Sequence, residues 1–196
     1  MTIFQQIQLK SVLISCAVGF GLTGCHSITT SYTTAYEKSD QQIRGVALNQ
    51  AMADALAGRF VNTFNHIGQP DFMQLTRDLF ADDLYANDTL SIYHHYADMI
   101  EHFQGMNQSV THSHVELKHA FVAEDSVYVH WKMDYTLKIL GREKAMSSFG
   151  ISQLKMNTQG KIIFQQDYWD PNNGLYRQLP IIGSVYRWLL PIKQAE

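Results

Sequence analysis

Val127-Tyr128-Val129-His130-Trp131-Lys132-Met133-Asp134-Tyr135 decides the fold class, because it alternates without a break. Val127, Val129, Trp131, Met133 and Tyr135 share one face of a strand. Tyr128, His130, Lys132 and Asp134 share the other, the period of a sheet with one side buried. Working outward, Gly141-Arg142 and Asn157-Thr158-Gln159-Gly160 are turn chemistry between long strands. From Ser109 onward the chain therefore reads as an antiparallel meander. One strand loses phase: Met146 is followed by Phe149 and Ile151, then Leu154, which predicts a β-bulge at Ser147 and Ser148 and a bent sheet.

Upstream of the strands the period is helical. Met52, Leu56, Phe60 and Phe64 recur every four residues within residues 46–67, and Gly68 and Pro70 follow where a helix should end. Phe72, Leu75 and Leu79 predict a second, shorter helix, and Met99, Ile100 and Phe103 a third. Helices first and a curved antiparallel sheet afterwards make an α+β domain. A strongly bent sheet around a long helix leaves a concavity, the usual setting for a small-molecule site. Phe60, on the helical stripe, is expected in the core or the cavity wall.

The chain has 15 basic and 18 acidic residues and no run of either sign, which argues against nucleic acid as a partner. At the N-terminus, Lys10 precedes an apolar stretch at residues 11–22, too short to span a bilayer and of the length of a signal-peptide core. Leu22-Thr23-Gly24-Cys25 closes it and resembles a bacterial lipoprotein signal. That resemblance implies cleavage after residue 24, acylation of Cys25, and attachment to a membrane of the bacterial cell envelope, facing the periplasm. Two or more acyl chains anchor stably where one holds reversibly. Cleavage removes Cys16 and leaves one thiol, so no internal disulfide is expected. Residues 25–45 read as a flexible tether, 46–170 as the domain, and 171–196 as an apolar extension. Two readings of the extension stay open: a tail packed over the domain, or a segment lying at a membrane interface.

Phe80-Ala81-Asp82-Asp83-Leu84-Tyr85-Ala86-Asn87-Asp88, with Asn157-Thr158-Gln159-Gly160-Lys161-Ile162-Ile163 and Tyr168-Trp169, resembles the nuclear-transport-factor-2-like superfamily. Ketosteroid isomerases and SnoaL-like polyketide cyclases belong to that group. The resemblance implies a cone-shaped curved antiparallel sheet wrapped around the long N-terminal helix, a cystatin-like α+β barrel with a ligand cavity inside. It also implies that Asp88 occupies the isomerases' general-base position and Asp167 a catalytic position of the cyclases. Where the isomerases carry a tyrosine and an aspartic acid that hold an oxyanion, this chain has Phe60 and Ser152. Phenylalanine donates no hydrogen bond, and loss of one such donor costs about 10²–10³ in rate, so ketosteroid isomerisation itself is not expected.

Read from the residues, Asp88 precedes Thr89 and Ser91 and is equally suited to cap a turn. Strand alternation puts Gln165, Asp167 and Trp169 on one face, either inner or solvent-facing. Two carboxylates in one apolar cavity would titrate apart. Keeping one neutral at pH 7 means raising its pKa by about 3 units, roughly 4 kcal/mol. Asp88, Asp167 and His130 are thus the candidate catalytic residues, and Phe60, Trp131, Ser152 and Trp169 the candidate ligand contacts. His112 and His114 share a strand face at a spacing metals use, but no further ligand signature accompanies them, and neither a metal nor a cofactor is expected. Three functions follow: binding of a hydrophobic small molecule or lipid, cofactor-free isomerase, cyclase or dehydratase chemistry, and docking or homodimerisation through the outer sheet face.

Overall fold

The computed structural model describes residues 32–180 and 182–189. The signal segment and the lipidation candidate Cys25 lie outside the described residues. The chain divides into two compact units, Met1–Gln42 and Ile43–Glu196. In the first, residues 32–42 form helix α1 within the stretch read as a tether. Ala35, Glu37, Lys38, Gln41 and Gln42 are good helix formers, and propensity of that kind leaves no apolar stripe to read.

The second unit opens with α2 (Gln50–Asn65), whose N-terminus is capped by the Asn49 side chain accepting from the Met52 N–H at 3.0 Å. Ala53, Leu56, Ala57 and Phe60 form its buried stripe. Then come α3 (Phe72–Leu79), β1 (Phe80–Asn87), β2 (Ile92–His95) and α4 (Tyr96–Ser109). The long strands β3 (Val110–Ala123), β4 (Ser126–Ile139) and β5 (Arg142–Met156) follow, and β6 (Ile162–Trp169) ends the sheet. The six strands make one curved, unclosed sheet in the order β2-β1-β6-β5-β4-β3. All neighbours are antiparallel except β1 and β6, which run parallel. Helix α2 packs on β3 and β4, and Leu56, Phe60, Phe72, Phe103, Val129 and Leu154 join in the core between helices and sheet.

The bulge predicted at Ser147 and Ser148 is not there. β4 and β5 pair in unbroken register from Val127 opposite Leu154 to Ile139 opposite Arg142. Met146, Ser148, Gly150 and Ser152 are buried in strict alternation, while Phe149 (69 % exposed) and Ile151 (36 %) point outward. Small residues inside and apolar ones outside invert the usual pattern, and the apparent phase shift is that inversion. The small residues have a reason. A Cβ on Gly150 would sit 2.7 Å from the Trp131 ring, so glycine is what lets the indole lie across β5. The register shifts of the β3–β4 pair fall instead on β3, between Val110 and His112 and between Leu117 and His119.

After β6 the chain forms α5 (Pro171–Gly174), a 3₁₀ turn (Tyr176–Gln178) and α6 (Ile182–Leu189). Asp170 caps α5, accepting from the N–H groups of Asn172 and Asn173. The Tyr135 hydroxyl donates to the Gly174 carbonyl at 2.6 Å, and Lys144 Nζ donates to the Gln178 carbonyl at 2.8 Å. These bonds tie the extension to β4 and β5.

Candidate active site

A cavity of about 260 Å³ opens between α2, α4 and the inner face of the sheet. Phe60 and Phe64 of α2, Met99, Phe103 and Met106 of α4, and Trp131, Met133 and Tyr135 of β4 supply an apolar wall. Asp88, Asp167, His102 and Gln165 are set into it.

Asp88 follows β1 directly, at the start of a tight turn. Its Oδ1 accepts from the N–H groups of Leu90 at 2.9 Å and Ser91 at 2.7 Å, and its Oδ2 lies 2.9 Å from His102 Nε2. The aspartate is therefore both a turn cap and part of the cavity wall. Thr89 takes φ 77°, a left-handed conformation uncommon for a non-glycine residue. Two bonds hold it there: Thr89 Oγ1 donates to the Asp167 carbonyl at 3.0 Å, and Thr89 N–H donates to Asn87 Oδ1 at 2.9 Å. Burial pushes the Asp88 carboxyl up, but the His102 hydrogen bond and charge, with the two backbone N–H groups, outweigh it and hold the carboxyl below its ordinary value.

Asp167 projects inward from β6. Its Oδ2 accepts from Gln165 Nε2 at 2.8 Å, while its Oδ1 is buried with no hydrogen-bond partner among the described residues. Desolvation, with the Asp88 charge adding to it, outweighs the lowering by the neighbouring Ser152 hydroxyl and Gln165 amide and drives the carboxyl up to about 7. Gln165 Oε1 is a second buried acceptor without a donor. Unpaired acceptors of this kind are costly, and a proton on Asp167 converts one acceptor into a donor. The two carboxyls thus sit in one cavity with pKa values pushed in opposite directions.

Phe60, Trp131 and Trp169 line the cavity as ligand contacts would. Ser152 does not reach it: fully buried, it accepts from Trp131 Nε1 at 2.9 Å and orients that indole from behind. His130 is a correction. Alternation with Trp131 turns it to the outer face, where its ring lies 6.0 Å from that of His119, so it is not an acid or base of this cavity. His112 and His114 are exposed on β3, and among the described residues no three His, Cys, Asp or Glu side chains cluster as a metal site would require.

His102 is the site residue that the sequence reading did not single out. Met99, His102, Phe103 and Met106 fall at helical spacing on α4, so a histidine interrupting that apolar stripe was the available signal. Its partner was not readable, because the Asp88 turn and α4 meet only in the fold.

A family model for the SnoaL-like domain matches residues 57–164, more than half of the chain. The chain belongs to the SnoaL-like family. No curated protein matches this SnoaL-like chain in sequence. Its fold is similar to that of AclR from Streptomyces galilaeus, at 18 % identity and a TM-score of 0.54, over 69 % of this chain and 98 % of that one. It is also similar to an M. tuberculosis LEH-like epoxide hydrolase, at 14 % identity and a TM-score of 0.52, over 72 % and 98 % of the two chains. An NTF2-like protein from Exiguobacterium superposes at 13 % identity and a TM-score of 0.51, over 59 % and 98 %. These likenesses establish the cone fold of the SnoaL-like domain.

Proposed function

We propose that the domain takes an apolar small molecule into its cavity and moves protons on it without a cofactor, as in isomerisation, cyclisation or dehydration. The observation that carries this reading is the opposed pair of acids in one apolar cavity: Asp167 poised near neutrality and Asp88 held ionised against His102. Asp88 already accepts three hydrogen bonds and is lowered in basicity, so it is a weak base in itself. In the neutral form of His102, whose Nε2–H then donates to Asp88, Nδ1 is the ring's acceptor. In this reading His102 Nδ1 removes a proton from an activated C–H of the substrate. Asp167 donates its own proton to the carbonyl or leaving oxygen; the cycle closes when His102 gives its proton to carbon or solvent and Asp167 takes one back from the enol oxygen or from solvent.

The test uses α-tetralone, a compact apolar ketone, in deuterated buffer near pH 7. Exchange at its α-carbon, followed by NMR, is expected to run about 10²-fold above buffer and to fall to background in His102→Gln and Asp167→Asn. Quenching of tryptophan fluorescence by the ketone with no acceleration of exchange would overturn the catalytic reading. That outcome would favour a second one, binding without turnover. Phe60 supports the second reading, since the cavity wall on α2 offers no hydrogen-bond donor at that position.

The cellular setting belongs to the same proposal: acyl chains on Cys25 hold the protein at the bacterial envelope, facing the periplasm. Leu22-Thr23-Gly24-Cys25 supports it. The mass of the mature N-terminal peptide checks it, and Cys25→Ser is expected to lose both processing and acyl mass.

A further inference from the structure

Helix α6 leaves its large apolar side chains in solvent. Ile182 (51 % exposed), Val185 (51 %), Trp188 (79 %) and Leu189 (59 %) occupy about 120° of its circumference, while Gly183 is buried. The helix packs against the 3₁₀ turn, with the Tyr186 ring 5.9 Å from that of Tyr176, and the buried Gly183 lies on the side opposite the apolar arc. Charge is segregated along the same segment. Residues 171–195 contain Arg177, Arg187 and Lys193 and none of the 18 acidic residues, in a chain whose acids outnumber its bases.

We infer that α6 with its preceding turn is a contact surface for an anionic phospholipid bilayer. Four exposed apolar side chains, one of them tryptophan, suit the interfacial region, where an indole is partly buried and partly hydrated. The three bases of residues 171–195 suit anionic headgroups. No helix among the described residues is long and apolar enough to cross a membrane, so the segment lies on the surface. The contact also reaches inward: Leu175, one residue before the turn, lines the cavity, and Gly174 is bonded to Tyr135 of its wall. The inference is independent of the reaction proposed for the cavity.

The test separates this contact from any anchor at the N-terminus by reading one side chain. The full chain is mixed with phosphatidylcholine–phosphatidylglycerol vesicles whose acyl chains carry bromine, and tryptophan emission is recorded. The component of emission missing in Trp188→Phe is expected to be quenched by brominated lipid. Quenching is expected to fall several-fold when phosphatidylglycerol is replaced by phosphatidylcholine, or in about 1 M salt. Val185→Asp with Leu189→Asp should abolish it while circular dichroism stays unchanged, because both side chains are exposed. A vesicle-bound protein whose Trp188 is unquenched would overturn the inference. So would quenching indifferent to lipid charge, or a Trp188 that becomes buried without vesicles as protein concentration rises, which would mark a second copy as the occupant.

Discussion

The indole N–H of Trp169 donates to the backbone carbonyl of Asp88 at 2.8 Å, joining the last strand to the turn that follows the first. Thr89 answers it by donating to the carbonyl of Asp167. Two bonds, joining Asp88 and Thr89 on one side to Trp169 and Asp167 on the other, make the Asp88 turn and the Asp167 strand a single piece. The two carboxyls are therefore fixed relative to each other by backbone contacts, independently of whatever occupies the cavity.

Asp167 should make the protein less stable as pH rises. Its folded pKa of about 7 lies above the ordinary 3.8, so between these values the unfolded chain ionises while the folded one stays protonated. Stability falls through that window and is level above it. Asp167→Asn, which keeps an acceptor for Gln165, is expected to be more stable than the parent by about 2–4 kcal/mol at pH 8 and equal to it near pH 3. The lower figure reflects the partial exposure of the residue. Urea unfolding at both pH values checks this; parallel curves would show that Asp167 is well solvated.

Asp88 has the opposite sign. A carboxyl held below 3.8 stabilises the fold at every pH above that value, and the contribution is lost as pH falls through the folded pKa. Both partners are about a quarter exposed, so Asp88→Asn is expected to cost no more than about 1 kcal/mol at pH 7. Asp88→Ala also strips the acceptor from Leu90 and Ser91 and should cost about 1–2 kcal/mol more. A double-mutant cycle with His102→Gln isolates the pair, and zero coupling at pH 6 would mean the two side chains do not interact in solution.

Gly150→Ala should be more damaging than its size suggests. The added methyl meets the Trp131 ring at 2.7 Å and the Tyr168 carbonyl at 2.8 Å. The indole must leave its place above β5 and lose the Ser152 bond, at a cost of about 1–3 kcal/mol. Near-ultraviolet circular dichroism reports the displaced tryptophan, and an unchanged spectrum would contradict the packing described.

Phe60→Ala removes a side chain that is 4 % exposed and packs in a tilted pair with Phe64 at 4.8 Å between ring centroids. A loss of about 3–5 kcal/mol is expected in denaturant unfolding, together with a larger cavity. A loss below about 1 kcal/mol would place the α2 stripe in a different phase.

Much of the cavity was legible in advance because alternation is a rigid code. Trp131, Met133 and Tyr135 point inward with Val127, and Asp167 with Trp169, as their spacing requires. The code failed on β5, where hydrophobicity no longer marks the inside: Phe149 and Ile151 lie outside, and serines and glycine make room for a tryptophan. It also left the orientation of the His130 face open. The Asp88–His102 pair was illegible for another reason. It depends on how a turn and a helix meet in space, and no local period records that.

At the other end of the domain, Lys155 is 2 % exposed, donates to the Ile43 carbonyl at 3.1 Å and lies 3.3 Å from Asp125, which accepts from Gly45 N–H. Val46 N–H then bonds the Met156 carbonyl at 2.9 Å. Four residues of entering chain are thus riveted to the end of β5 and the β3–β4 turn before α2 begins. A pull arriving from the N-terminal side is borne by those strands. The helix carrying Phe60 and Phe64 is mechanically downstream of the rivet, and the cavity keeps its shape under tension.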